Sequence, residues 1–165
     1  AYRFAAELEK AAGKKVELVI ASDVNAALRA KIEATVPDVW TNYLGVVPRE
    51  RIPGLSRTAH MQFSAEINPS CPNSVVEALA CGLPVVGYDT GSLAELVQGK
   101  SGVVVPYGSD PWKLGTGDTS ALALASLEVL RNQSEFRRSA RQRAVEVFNL
   151  AAMTDAYLGV LLLKR

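Results

Sequence analysis

Residues 68–92 read NPSCPNSVVEALACGLPVVGYDTGS, and this stretch decides the fold. Pro72 suits the first turn of a helix, where its missing N–H costs nothing. Ser70 or Asn73 is the expected cap. Gly82 ends the helix and Pro84 stops it from resuming. The helix therefore spans residues 72–81. Val75, Val76, Leu79 and Ala80 are expected on its apolar face. Asn73, Ser74 and Glu77 fall together on the other face, because residues three and four apart are neighbours on a helix. An apolar strand, PVVGY, follows and runs into Thr90-Gly91-Ser92, a small-residue turn that opens another helix.

This helix start is suited to an anion. Unpaired amides and the positive end of the helix dipole favour a phosphate there. Glu77, one turn in, would repel that phosphate but can accept hydrogen bonds from vicinal hydroxyls beside it. Phosphate on the helix end and hydroxyls on the acid describe a nucleotide, the same logic that puts an acid on the ribose in dinucleotide-binding folds. A glutamate on a short helix also has an ordinary reading as a solvated side chain, which spacing alone does not exclude.

Outward from this segment, helical and extended patterns alternate. Residues 1–12 carry helix formers with Phe4, Leu8 and Ala11 at apolar spacing, and Gly13 follows as a stop. VELVIA at 16–21 reads as a buried strand. Asp23 is the expected cap of a helix to about residue 35, with Pro37 beyond it. A short strand is expected at 43–46, a short helix at 48–57 and a strand at 59–64. After residue 92 come a short helix to 97, a strand at 102–105 and a loop at 106–117. Helices at 118–132, 134–148 and 151–163 close the chain. Strands separated by helices imply a mainly parallel sheet covered on both faces, with ligands at the C-terminal strand ends.

Composition narrows the partners. The chain has 165 residues, 48% apolar and 21% charged, which fits one globular domain. Eighteen Lys plus Arg against 17 Asp plus Glu leave a formal charge of +1, which gives no reason to expect a nucleic acid or an anionic membrane as a bulk partner. Cys71, Cys81 and the single His60 form no metal-ligand spacing, and two thiols make no disulfide framework. No uninterrupted apolar run approaches the roughly 18 residues of a membrane span. The chain opens inside a helical pattern without a signal-peptide core, and so reads as a fragment.

CPNSVVEALACGLPVVGYDTGSLAELV, followed by SGVVVPYG, closely resembles the donor-binding region of retaining GT-B glycosyltransferases. It is most similar to the group 1 class, glycosyltransferase family 4. LVIASDV, YLGVVPRERIPGLSRTAHMQFS and ARQRAVEVFNLAAMTDAYLGVL extend the resemblance over nearly the whole chain. It implies a Rossmann-like three-layer α/β/α domain that binds a UDP-, GDP- or ADP-sugar without a metal. Transfer would go to a glycan or lipid acceptor, in the cytoplasm or at the inner face of a membrane. Glu77 matches the second acid of the family's E-x7-E motif, which contacts the ribose. Asn73, Ser74, Val75 and Val76 match the amides that approach the diphosphate and sugar. Val47, Pro48 and Arg49 match the loop against the base, although Arg49 and Arg51 also read as ordinary surface charges. No catalytic residue is assigned.

Two departures accompany the resemblance. Eight residues before Glu77, where the motif has its first acid, stands Pro69, with Glu66 and Asn68 nearby. The family's first strand of this domain, with its basic pair, and the N-terminal acceptor domain are missing, so the isolated chain is expected to be inactive. A non-catalytic nucleotide- or partner-binding module and a nucleotide-sugar epimerase are the alternatives. Asp118 in GTGDTS reads as a helix cap, Arg137, Arg138, Arg141 and Arg143 as a solvated face, and His60 as a core or hydrogen-bonded residue in mid-strand. Leu158, Leu161 and Leu162 are expected to pack on the core. The last helix is also a candidate to rest on the absent domain, leaving some apolar surface exposed.

Overall fold

The computed structural model describes residues 1–36 and 38–162. Pro37, and the Leu163 end of the last helix, lie outside the described residues. Helix α1 (Tyr2–Ala12) closes on Gly13, whose N–H donates to the Glu9 carbonyl. It is followed by β1 (Glu17–Ile20), α2 (Ala26–Thr35), β2 (Trp40–Tyr43), a 3-10 turn at Arg49–Arg51 and α3 (Ile52–Thr58). Then come β3 (Gln62–Phe63), α4 (Asn73–Ala80), β4 (Val85–Tyr88), α5 (Leu93–Leu96) and β5 (Gly102–Val105). Three helices close the chain: α6 (Thr119–Arg131), α7 (Gln133–Val147) and α8 (Leu150–Leu161).

Strand β4 is the centre of the core. All four of its residues are buried, as expected of a parallel strand covered on both faces. Val85 points into a cluster with Val75 and Leu79 of α4, Leu93 and Leu96 of α5, and Ala140 and Ala144 of α7. Its neighbours Val86 and Tyr88 point the other way, to Phe4 and Leu8 of α1, Leu122 and Val129 of α6, and Phe136. One strand thus alternates between two helix layers, which gives the three-layer α/β/α architecture. Full burial of each of these valine, leucine and phenylalanine side chains contributes about 1.5–3 kcal/mol.

All strand pairings are parallel, but they form two ladders, β1–β2 and β3–β4–β5. Helix α1 bridges them: Phe4 stacks on Phe63 at 4.9 Å, and the Tyr2 hydroxyl donates to that of Tyr43 at 3.1 Å. β1 is not the fully buried strand its apolar sequence suggests. Its residues alternate between exposed and half-buried, and Val19 is 37% exposed. The reason is cover: helix α2 over this ladder buries none of its residues.

Other boundaries shift for local reasons. The α2 cap is Asn25, whose Oδ1 accepts the Leu28 amide, rather than Asp23. β2 ends at Tyr43, where the expected 43–46 strand begins, because Trp40 to Tyr43 is the segment in register with β1. β3 is two residues long, and His60 precedes it with an exposed side chain. Asp118 does cap α6, accepting the Ala121 amide.

The α7 arginines are not simply a solvated face. Arg137 donates to the carbonyls of Arg57 and Ala59, Arg141 to Ala80, and Arg143 to Glu95 and Leu96. They tie α7 to the C-terminal ends of α3, α4 and α5. Leu158, Leu161 and Leu162 do not pack on the core, since α8 buries none of its residues and these three are 45–75% exposed. Residues 133–161 are long and apolar enough for a membrane span by length and composition. Asn149, with extended backbone, divides them into α7 and the 12-residue α8, which is shorter than the roughly 20 residues a span needs.

Candidate functional site

The site assembles at the N-terminal end of α4, beside the C-terminal ends of the strands. Pro72 stands at the cap position, with φ −72° and ψ 112°, and no side chain caps the helix. Neither Ser70 nor Asn73 takes that role, because Asn73 is already the first helical residue. The first turn is closed by the Pro72 carbonyl, which accepts the amides of Val75 at 3.0 Å and Val76 at 3.5 Å. The amides of Asn73 and Ser74 have no acceptor among the described residues. They are the orphan donors that every helix start leaves over, and both residues are exposed.

The buried face of α4 is Val75, Ala78 and Leu79. Ala78 takes the place expected of Val76 and Ala80, which are only half-buried. Close packing of that face on β4 turns Asn73, Ser74 and Glu77 to solvent. The Glu77 side chain is 52% exposed, and its Oε1 lies 3.9 Å from Nη2 of Arg49. The 47–49 loop and α4 therefore meet at these two side chains. Val47 is half-buried and Pro48 exposed, with Pro48 at φ −55° leading into the 3-10 turn.

The position of the missing acid is held by backbone. Pro69 is buried, and its carbonyl accepts the Ser92 amide at 2.9 Å. Gly91, at φ +55°, lies so close that a Cβ would run into the Pro69 backbone. Asn68 adopts φ 57°, and Glu66 is exposed. The segment before α4 is thus locked to the turn before α5. Ser92 was not singled out from sequence: its amide makes this lock, and its buried Oγ finds no partner among the described residues. Its only signal is its place at the end of the Thr-Gly-Ser turn. Among the described residues, no three His, Cys, Asp or Glu side chains come together as a metal site.

The family model for glycosyl transferases group 1 matches residues 2–132. The chain belongs to this family. O-antigen chain mannosyltransferase B of Escherichia coli is 31% identical over 103 residues, covering 62% of this chain and 24% of that protein. The GDP-mannose-dependent alpha-(1-6)-phosphatidylinositol dimannoside mannosyltransferase of Mycobacterium tuberculosis is 24% identical over 151 residues, covering 91% of this chain and 36% of that protein. Sucrose-phosphate synthase of Thermosynechococcus elongatus superposes with a TM-score of 0.71 at 22% identity, over 98% of this chain and 43% of that one. The chain therefore spans less than half the length of each, and its α/β fold is that of a Rossmann-like GT-B domain.

Proposed function

We propose that this chain is the donor-binding domain of a retaining hexosyltransferase of glycosyltransferase family 4. One observation carries the reading. The free amides of Asn73 and Ser74 open the same exposed helix face on which Glu77 stands, opposite the Arg49 loop. The diphosphate of a nucleotide-sugar sits against the first turn, with Val75 and Val76 backbone alongside, and its ribose hydroxyls donate to Glu77. The base lies along Val47, Pro48 and Arg49. The α4 amides take up charge that develops on the departing diphosphate, so the contribution is positioning and electrostatic stabilisation. No metal is required.

UDP-, GDP- and ADP-sugars all fit this description. Both relatives are named mannosyltransferases and one is named GDP-mannose-dependent, so GDP-mannose is the first donor to try. The acceptor is a glycan or lipid, met by a preceding acceptor domain in the cytoplasm or at the inner membrane face. The ladder order supports a missing central strand. Removing strand 1 from a doubly wound 3-2-1-4-5-6 sheet leaves a pair and a triplet, the pattern of β1–β2 and β3–β4–β5. The isolated chain is then a binding unit without turnover.

Saturation-transfer NMR with UDP, GDP and ADP tests the reading directly. Transfer to ribose and base protons is the expected result, and silence with all three removes the donor site. Pro69 in the place of the first acid, held by Ser92, favours a second reading as a non-catalytic nucleotide-binding module. Turnover of a nucleotide-sugar by the intact protein decides against that version, and the product separates a transferase from an epimerase.

A further inference from the structure

A second charged site lies at the other end of α4. Helix α7 approaches the C-terminal ends of α3 and α4, and Gly82 makes the approach close. Gly82 sits at φ +68°, and a Cβ there would come within 3.2 Å of the Arg137 carbonyl. Between the three helices lies an open surface depression of about 570 Å³, lined by Arg57, Cys81, Gly82, Arg137, Arg138 and Arg141 with one glutamine. Four of the lining residues are arginines and none is acidic. None of the four arginines forms an ion pair among the described residues.

Capping of helix ends accounts for only part of this cluster. Arg137 spends two N–H groups on the carbonyls of Ala59 and Arg57, at 2.8 and 2.7 Å. Arg141 spends one on Ala80 at 2.7 Å. A guanidinium has five donors, so most of theirs remain. Arg138 reaches only Ser134 of its own helix, and the Arg57 side chain has no hydrogen-bond partner among the described residues. Neither one is needed to hold an element in place. Like charges gathered without a counter-charge repel one another, and a bound anion relieves that repulsion. Planar guanidinium forks match phosphate oxygens in pairs.

We propose that this arginine-lined depression binds a multiply ionised phosphate group, at a site separate from the donor site. The geometry keeps the two apart: the donor amides open at Asn73, whereas the depression begins at Cys81, beyond the last turn of the same helix. The phosphate belongs either to a soluble phosphate ester or to a phosphorylated lipid headgroup, which present the same oxygens.

The test is titration of the intact protein, held in saturating GDP to fill the donor site, with inorganic pyrophosphate at low salt, followed by calorimetry, beside the R57Q/R138Q double variant. These two side chains clamp no neighbouring element, so the variant is expected to unfold at the parent's temperature. The expected result is roughly tenfold weaker pyrophosphate binding in the variant, with affinity for GDP unchanged. Co-sedimentation with phosphatidylcholine vesicles containing phosphatidic acid separates the sources. Vesicle binding lost in the variant assigns the lipid headgroup, and pyrophosphate binding without vesicle binding assigns the soluble ester. Absence of both in the parent, or equal pyrophosphate binding by parent and variant, overturns the proposal. Failure of GDP binding alone would touch only the donor reading.

Discussion

Nη2 of Arg49 lies 3.9 Å from Oε1 of Glu77, which brings the loop after β2 against the first turns of α4. Both side chains are open to water, 91% and 52% exposed. An ion pair of that kind contributes about 0–1 kcal/mol. It orders little, and a ligand can displace it at small cost. The pair therefore marks where the loop after β2 meets α4, and it does not hold the fold together.

Glu77→Ala is expected to weaken nucleoside diphosphate binding by about 1–3 kcal/mol, the value of a hydrogen bond to a charged group. Its effect on stability should stay below about 0.5 kcal/mol, because the side chain is half in solvent. Arg49→Ala should change stability just as little. Calorimetric titration with GDP and UDP, beside urea unfolding of each variant, measures both quantities. Equal affinity in parent and Glu77→Ala removes the ribose role of that acid.

Gly91→Ala should be among the most damaging single-methyl changes in the chain. The backbone is left-handed at φ +55°, and the added carbon meets the Pro69 backbone. The strain and the lost Ser92–Pro69 hydrogen bond together predict about 2–4 kcal/mol of destabilisation. The segment before α4 would shift, so nucleotide affinity should fall as well. Chemical denaturation gives the first number, and a titration of the folded fraction gives the second.

The central elements were legible in sequence because local and tertiary preferences agree there. VVGY is apolar and is buried on both faces, and GVVV begins and ends where it was expected. Asp118 caps α6 as its chemistry requires. VELVIA misled, because an apolar string does not say whether a layer exists to cover it, and α2 buries nothing. The α8 leucines misled for the same reason. Asn25 displaced Asp23 as a cap because either side chain is competent, and the choice depends on where the helix finds its register. The start of α4 and the solvent-facing position of Glu77 were legible as a proline-led helix followed by an acid. The arginine-lined depression was not, since its members come from positions 57 and 137–141 and meet only across the packing of α3, α4 and α7.

Glu9 predicts an acid-sensitive corner. Its carboxylate accepts Lys15 Nζ at 2.7 Å and the Val16 amide at 3.1 Å. The Lys15 hydrogen bond, and then the Val16 amide, hold the carboxyl below its ordinary value of 4.5. A lowered value means that the folded state favours the charged form. The contribution is complete above the ordinary value and is lost as pH falls through the lowered one. Thermal unfolding midpoints should therefore drop below pH 4.5, and Glu9→Gln should flatten part of that drop. Parallel curves for parent and variant would show that the hairpin from α1 to β1 gains nothing from this contact.

Arg143 tests whether the α7 clamp is a matter of charge or of shape. Its guanidinium donates from two nitrogens to the carbonyls of Glu95 and Leu96, at the end of the four-residue helix α5. It also lies over the Phe148 ring, 5.6 Å from its centroid. Helix α5 is too short to hold itself, so these carbonyls depend on the fork to satisfy them. Arg143→Gln should cost about 1–3 kcal/mol of unfolding free energy. Arg143→Lys keeps the charge but cannot span two carbonyls with a planar group. If shape is what matters, the lysine variant should be nearly as unstable as the glutamine variant. If urea unfolding shows lysine restoring parental stability, the clamp acts through charge alone.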